Sequence, residues 1–252
     1  MVVFVSLFVA MLASAAFAKS TTTTTAPPDY RSALTKRFAK EYGDAALAQQ
    51  VVTGLSDATI TSLEAKVPAA DVATSPFLAY KAPRVAADKV DSLVVFAFGN
   101  RLGANAELQP GPMNEALSKA VEKFVAKHPV PVYAQTEIAQ QLQAAGVKHV
   151  TSIDPVTNAD GTVTYLSTAG VADQVMSKAQ ASGDELGTVG VIGFSDHAVR
   201  CVLTARKAGM TSAAVPKGVK LPTVYDPESN QPWTRTRSAY LPTDLIGRLA
   251  TL

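Results

Sequence analysis

The 252-residue chain has one cysteine, Cys201, so no intramolecular disulfide can form, and neither CxxC pairs nor HExxH occurs to hold a metal. No metal is expected. Charged residues are only 17 % of the chain, with 23 Lys plus Arg against 21 Asp plus Glu. No run of five or six like charges is present to track a phosphate backbone, which argues against nucleic acid as a partner. Neither GxGxxG nor a Gly-Lys followed by Ser or Thr is found, so a dinucleotide fingerprint and a P-loop are both unsupported. What the chain does have is 47 % hydrophobic residues, enough for a sizeable core without covalent staples.

The apolar residues are unevenly placed. Val2 to Ala18 form one apolar run closing in Ala16-Phe17-Ala18, the small-x-small form that signal peptidase accepts. No Lys or Arg precedes the run, and it is short for a bilayer span of roughly 20 residues, so residues 1–18 read as a signal peptide or, if uncleaved, as an anchor. Either outcome makes the remainder secreted or extracytoplasmic, and limits membrane contact to this segment. Residues 19–28, with five threonines at Thr21–Thr25 and Pro27-Pro28, have little apolar area to offset the entropy of ordering and read as a linker.

Residues 29–85 carry helical spacing. Tyr30, Leu34 and Phe38 lie four apart, and Ser56-Asp57 could cap a helix bearing Ile60 and Leu63. From residue 86 the pattern becomes short apolar runs alternating with amphipathic stretches. Strands are expected at Val90–Phe98, Val130–Ala134, Lys148–Ile153, Thr188–Phe194 and Thr211–Val215. Helices are expected within Gly111–His128 and over Glu137–Ala145, Thr168–Ala181, His197–Ala208 and Leu241–Leu249, with Gly146, Gly183 and Gly209 placed as stop signals. This alternation predicts an α/β fold: a Rossmann-like parallel sheet with helices on both faces, preceded by a small helical segment.

In such a sheet every strand ends at one edge, and ligands bind there. The loops to interrogate are therefore Gly99-Asn100-Arg101-Leu102-Gly103, Gln135-Thr136-Glu137, Asp154 and Ser195-Asp196-His197. Gly99 and Gly103 would let backbone N–H groups approach a phosphate or carboxylate, or would simply turn the chain at a strand exit. Arg200, three residues after His197, falls on nearly the same helix face, so an imidazole and a guanidinium could share a cleft; the plainer reading is a surface salt bridge. Gly193-Phe194-Ser195-Asp196-His197 is no nucleophile elbow, because its closing glycine is replaced and no histidine follows residue 197. His128 and His149 fall at the opposite edge. Trp233, Arg235, Arg237 and Tyr240 could close over an anion or form a solvated loop before the last helix.

In order, these pieces resemble the SanA/YdcF-like family, a bacterial group of Rossmann-like domains often facing the cell envelope. The resemblance covers about Val90 to Met210. It rests on Asp91-Ser92-Leu93-Val94-Val95 with Gly99, on Glu137-Ile138-Ala139 through Gly146-Val147, and on Thr168. Its most specific part is Val189–Phe194 followed by Ser195, His197, Arg200 and Ala208-Gly209. Ala134-Gln135 stand where the family has Gly-Gly, Asn114 where it has Arg, and Val171-Ala172 where it has Asn. The resemblance implies that Gly99, Glu137, Thr168, Ser195, His197 and Arg200 line one pocket. With the strand-end rule, it suggests Glu137 and His197 as acid and base, and Arg200 as an anion clamp. Gly99, Asn100, Arg101, Gly103, Thr168, Ser195 and Asp196 would be further ligand contacts. The expected ligand is a small anionic molecule, nucleotide-like or of the S-adenosylmethionine type. Phosphoryl or pyrophosphoryl transfer or hydrolysis is one expected activity; the other is binding without chemistry.

Overall fold

The computed structural model describes residues 28–104, 108–160 and 163–251. The signal-or-anchor segment and nearly all of the linker lie outside the described residues. Helix α1 (Pro28–Tyr42) begins on the last linker residue, a proline that can open a helix because its missing N–H would be unpaired there anyway. Helices α2 (Ala45–Gly54) and α3 (Asp57–Lys66) follow; Asp44 accepts from Leu47 N at 2.9 Å and Ser56 from Thr59 N at 3.2 Å. Tyr30, Leu34 and Phe38 are fully buried, as their four-residue spacing requires, against Val51, Val52, Ile60 and Leu63. Among the described residues no helix is long and apolar enough to cross a membrane.

The α/β part begins at β1 (Arg84–Val85), inside the stretch expected to be helical, and continues with β2 (Ser92–Val95) and an antiparallel hairpin of β3 (Arg101–Leu102) and β4 (Leu108–Gln109). Next come α4 (Gly111–Val125), β5 (Val132–Gln135), α5 (Thr136–Ala144) and β6 (Val150–Ile153). A second hairpin, β7 (Val156–Thr157) with β8 (Val163–Thr164), leads into α6 (Thr168–Ser182). The chain finishes with β9 (Val189–Ile192), α7 (Ala198–Lys207), β10 (Val215–Pro216) and α8 (Arg237–Leu249). Helix α6 stops at Gly183 with φ +73°, a left-handed turn that favours glycine.

The central sheet is parallel, in the order β6-β5-β2-β9, with helices on its faces. Beyond β9, Ala214 bridges Gly190, and β10 pairs in parallel with β1. The expected fifth strand is thus present as a short continuation of the edge. The first strand is shorter than its apolar run because its last donors leave the sheet ladder. Ala97 N donates to Gln135 Oε1 and Phe98 N to Asn114 Oδ1, each at 2.8 Å. Satisfying these amides with side chains lets the backbone peel away from its neighbours without orphaned donors.

Two hydrophobic cores result, and α8 belongs to both. Tyr240 packs into the core of the sheet, while Leu241 and Leu245 complete the core of the helical segment. A third position on the same helix, Arg248, is fully buried between them. Its Nε donates to Asp244 Oδ2 at 2.7 Å, its Nη1 reaches the carbonyls of Phe77 and Ala79, and its guanidinium lies 4.1 Å from the Tyr80 ring centroid. Removing one member of a buried ion pair strands its partner's charge, typically at a cost of about 3–5 kcal/mol. Arg248→Met is therefore expected to lose about 3 kcal/mol of stability, the lower end because Asp244 keeps a second cation; urea unfolding measures it.

Candidate functional site

In chain order the sheet builds β2, moves outward through β5 and β6, then returns to the far side of β2 with β9. The connections therefore diverge between the ends of β2 and β9, which opens a crevice at that point. A cavity of about 500 Å³ lies there. Gly99 from the β2 exit, Gln135 from the end of β5, Thr168 at the start of α6, and His197 with Arg200 after β9 all line it. Its remaining wall comes from the Tyr165–Ser167 approach to α6 and from Gln231, Trp233, Tyr240 and Thr243 around the start of α8.

Of the ten residues expected to act as acid, base, clamp or ligand contact, four meet at this cavity: Gly99, Thr168, His197 and Arg200. The others are elsewhere. Glu137 and Asn100 are buried beside it without forming its wall. Arg101 makes a two-point contact with Asp226, Nε to Oδ2 and Nη2 to Oδ1, both at 2.8 Å, and Gly103 is half-buried on the β3–β4 hairpin. Asp196 turns away to Arg237 (Nε to Oδ2 2.8 Å) and accepts from the Tyr225 hydroxyl at 2.8 Å. Ser195 is half-buried and donates its amide to Pro222 O. At the end of β6, Asp154 pairs with Lys178 Nζ at 3.0 Å, which with the Ser152 hydroxyl holds its carboxyl below the usual range.

Gly99 has φ +66°, and a Cβ there would sit 2.6–2.8 Å from Met113 Cε, Ser229 Oγ and Thr234 Oγ1, so both conformation and space demand glycine. Its carbonyl accepts from Asn114 Nδ2 at 2.7 Å. Asn114 holds both ends of the β2 exit: Phe98 N and Gly99 O.

His197 and Arg200 do share a face, and their partners define what they can do. Arg200 Nε lies 3.2 Å from His197 Nδ1 and 3.0 Å from Asp244 Oδ1, and its Nη2 donates to the Tyr240 hydroxyl at 2.9 Å. Asp244 is fully buried, also receives Arg248, and its carboxyl is held down to about 2 by the Arg248 and Arg200 guanidiniums against the opposing effect of burial. Burial and the neighbouring Arg200 push His197 down to about 4. The imidazole is therefore neutral at pH 7. Because Nδ1 accepts from Arg200, Nε2 carries the proton, and the ring offers a donor rather than a base.

Burial raises the Glu137 carboxyl above its usual range, and its Oε1 has no hydrogen-bond partner. Sequence reasoning missed Tyr165 and Asp244, and placed Gln135 in the right loop without giving it a role. Gln135 is the last residue of an apolar strand, and Asp244 looks like one polar position on an amphipathic helix. Trp233 and Tyr240 fulfil half of their expectation: they form the wall, while Arg235 Nε donates to Ser229 O and Arg237 is taken by Asp196. Among the described residues no group of three or more His, Cys, Asp or Glu could hold a metal ion. Comparison of the chain with family models, curated proteins and solved structures gave no match.

Two outcomes test this geometry. Gly247 sits where a Cβ would collide with the Arg200 guanidinium, so Gly247→Ala is expected to displace Arg200 and to cost about 1–3 kcal/mol in chemical denaturation. The second concerns pH. Between about 4 and the usual 6.5, His197 is protonated in the unfolded chain and neutral in the folded one, so stability rises with pH across that window. The contribution is complete above pH 6.5 and falls by on the order of 3 kcal/mol as pH drops toward 4. Calorimetry of His197→Gln should show a shallower decline between pH 7 and 4.5 than the native chain.

Proposed function

We propose that this protein is an extracytoplasmic, SanA/YdcF-like binding protein that takes a small anionic, nucleotide-like ligand in the cavity between the ends of β2 and β9. The observation that carries the reading is the make-up of the wall: among the described residues lining it, Arg200 is the only charged side chain, and no carboxylate faces in. The N-terminus of α6 adds to that sign. This helix has 15 residues, opens at Thr168 with Ser167 as its cap, and both residues line the cavity, so its first amides favour an anion there. Phe98, Trp233 and Tyr240 supply ring faces for a base or other flat group. Export is supported by the apolar run ending in Ala16-Phe17-Ala18.

Binding without chemistry is favoured over phosphoryl or pyrophosphoryl transfer by two facts. Hydrolysis or transfer needs a proton carrier at the reacting atoms, and His197 is a neutral donor while Glu137 does not line the cavity. Arg200, for its part, is already engaged by Asp244, Tyr240 and His197, so it serves as one positive wall rather than a free fork.

Thermal-shift titration with ADP, S-adenosylmethionine and an isoprenyl phosphate tests the reading. A ligand at a hundred times its Kd stabilises by about 2.7 kcal/mol, a readable rise in midpoint. At least one anion is expected to stabilise the native chain, with the effect reduced in Thr168→Val and in Arg200→Ala. No response to any of the three, or a response that both variants leave untouched, overturns the proposal; release of inorganic phosphate from ADP would restore the catalytic reading.

A further inference from the structure

A second cavity, also of about 500 Å³, lies at the other edge of the sheet, where the strands begin. Helix α6 and the loop that leads from it into β9 form one side, and the loop from α7 toward β10 forms the other. Its floor is apolar: Met176, Ala179, Leu186, Val189 and Met210. The volume falls within the roughly 300–1,000 Å³ that small-molecule sites occupy, enough for a short chain-like molecule. Two methionines, Met176 half-buried and Met210 buried, give the floor an adaptable surface.

The sign of this cavity is opposite to that of the one beside Arg200. Among the described residues lining it, Asp184 and Glu185 are the only charged side chains, and both are exposed. Two helices also end there. Helix α6 stops at Ser182, between the lining residues Gln180 and Asp184, and α7 stops at Lys207, two residues before Gly209, so the carbonyl ends of both add to the negative potential. The cations nearest along the chain are drawn off elsewhere. Lys178 Nζ donates to Asp154 Oδ2 at 3.0 Å, Arg206 Nε to Ala213 O at 2.9 Å and Lys207 Nζ to Ala250 O at 3.0 Å. Asp184 Oδ2 accepts from the Tyr133 hydroxyl at 2.7 Å, which fixes that carboxylate at the rim. An apolar trough whose only charges are carboxylates complements a cation with a hydrocarbon body.

We propose that this second cavity binds a small aliphatic ammonium ion, with its charged head at Asp184 and Glu185 and its methylene chain along the floor between Met176 and Met210. The two cavities share no lining residue, so this site stands apart from the anion-binding reading. The same carboxylates turn anions away, and the opposite edges of one sheet sort small molecules by charge.

Methionine-methyl NMR of the native chain, titrated at pH 7 with hexylamine, hexanol and hexanoate, tests the site. Hexylamine, an ammonium ion at that pH, is expected to shift the Met176 and Met210 signals, assigned by single replacement with leucine. The signal of Met113, whose methyl lies against Gly99 at the first cavity, should stay in place. Hexanol has the same chain without the charge and is expected to bind at least about threefold more weakly, with hexanoate weaker still. Glu185→Gln changes an exposed side chain, so the thermal midpoint should hold while hexylamine binds about threefold more weakly. Thr211→Arg, at an exposed position on the wall, brings a cation into the cavity and should remove most of the hexylamine response. Equal binding of hexylamine and hexanol, or binding that both variants leave unchanged, overturns the proposal. So does hexylamine that leaves Met176 and Met210 unmoved, and none of these results bears on the anion site.

Discussion

Asp244 is a carboxylate with no exposed surface, and the arrangement of everything near the cavity follows from how its charge is met. Arg248 approaches one oxygen from the same helix, and Arg200 approaches the other from α7. Charges taken out of water persist only where partners and hydrogen bonds replace the lost solvation. Here the replacement joins three parts of the molecule. Arg248 also holds the carbonyls of Phe77 and Ala79 from the helical segment, and Arg200 also holds His197 and Tyr240 at the cavity. One acidic group thus fixes the last helix against both cores, and that helix in turn supplies Tyr240 and Thr243 to the wall.

A related economy of donors shapes the other side. The strand exit at Ala97–Gly99 leaves the ladder without leaving its amides bare, because Gln135 and Asn114 accept from them. The space that opens is then held by Gly99, whose missing Cβ admits Met113, Ser229 and Thr234. Backbone, rather than side-chain bulk, sets the shape of the cavity at this corner.

Local periodicity carried most of the architecture. The four-residue spacing of Tyr30, Leu34 and Phe38, the cap at Ser56 and the stop at Gly183 are short-range physics, and the parallel order follows from their alternation with apolar runs. The edge of the sheet was legible too, and with it Gly99, Thr168, His197 and Arg200. Arg101 and Asp196 were legible only as polar residues in the right loops; their partners, Asp226 and Arg237, lie 125 and 41 positions away. Spacing cannot encode such pairings. Tyr240, Asp244 and Arg248 follow one another at four-residue steps, which reads as a solvated stripe until the helical segment is seen to cover it.

The stoichiometry of that buried cluster sets the charge presented to the cavity. Two guanidinium groups share a single carboxylate while His197 stays neutral, so the cluster keeps one positive charge in excess. Arg248 is wholly enclosed and cannot reach solvent, whereas the Arg200 side chain is 18 % exposed and lies on the cavity wall. The uncompensated charge is therefore felt at the one place where a mobile anion can approach it. Asp244 keeps Arg200 from swinging out to follow such an anion, and Gly247 leaves it room to lie flat against α8. A guanidinium held this way is a preorganised pole, one that an anion placed against this wall would meet without rearrangement.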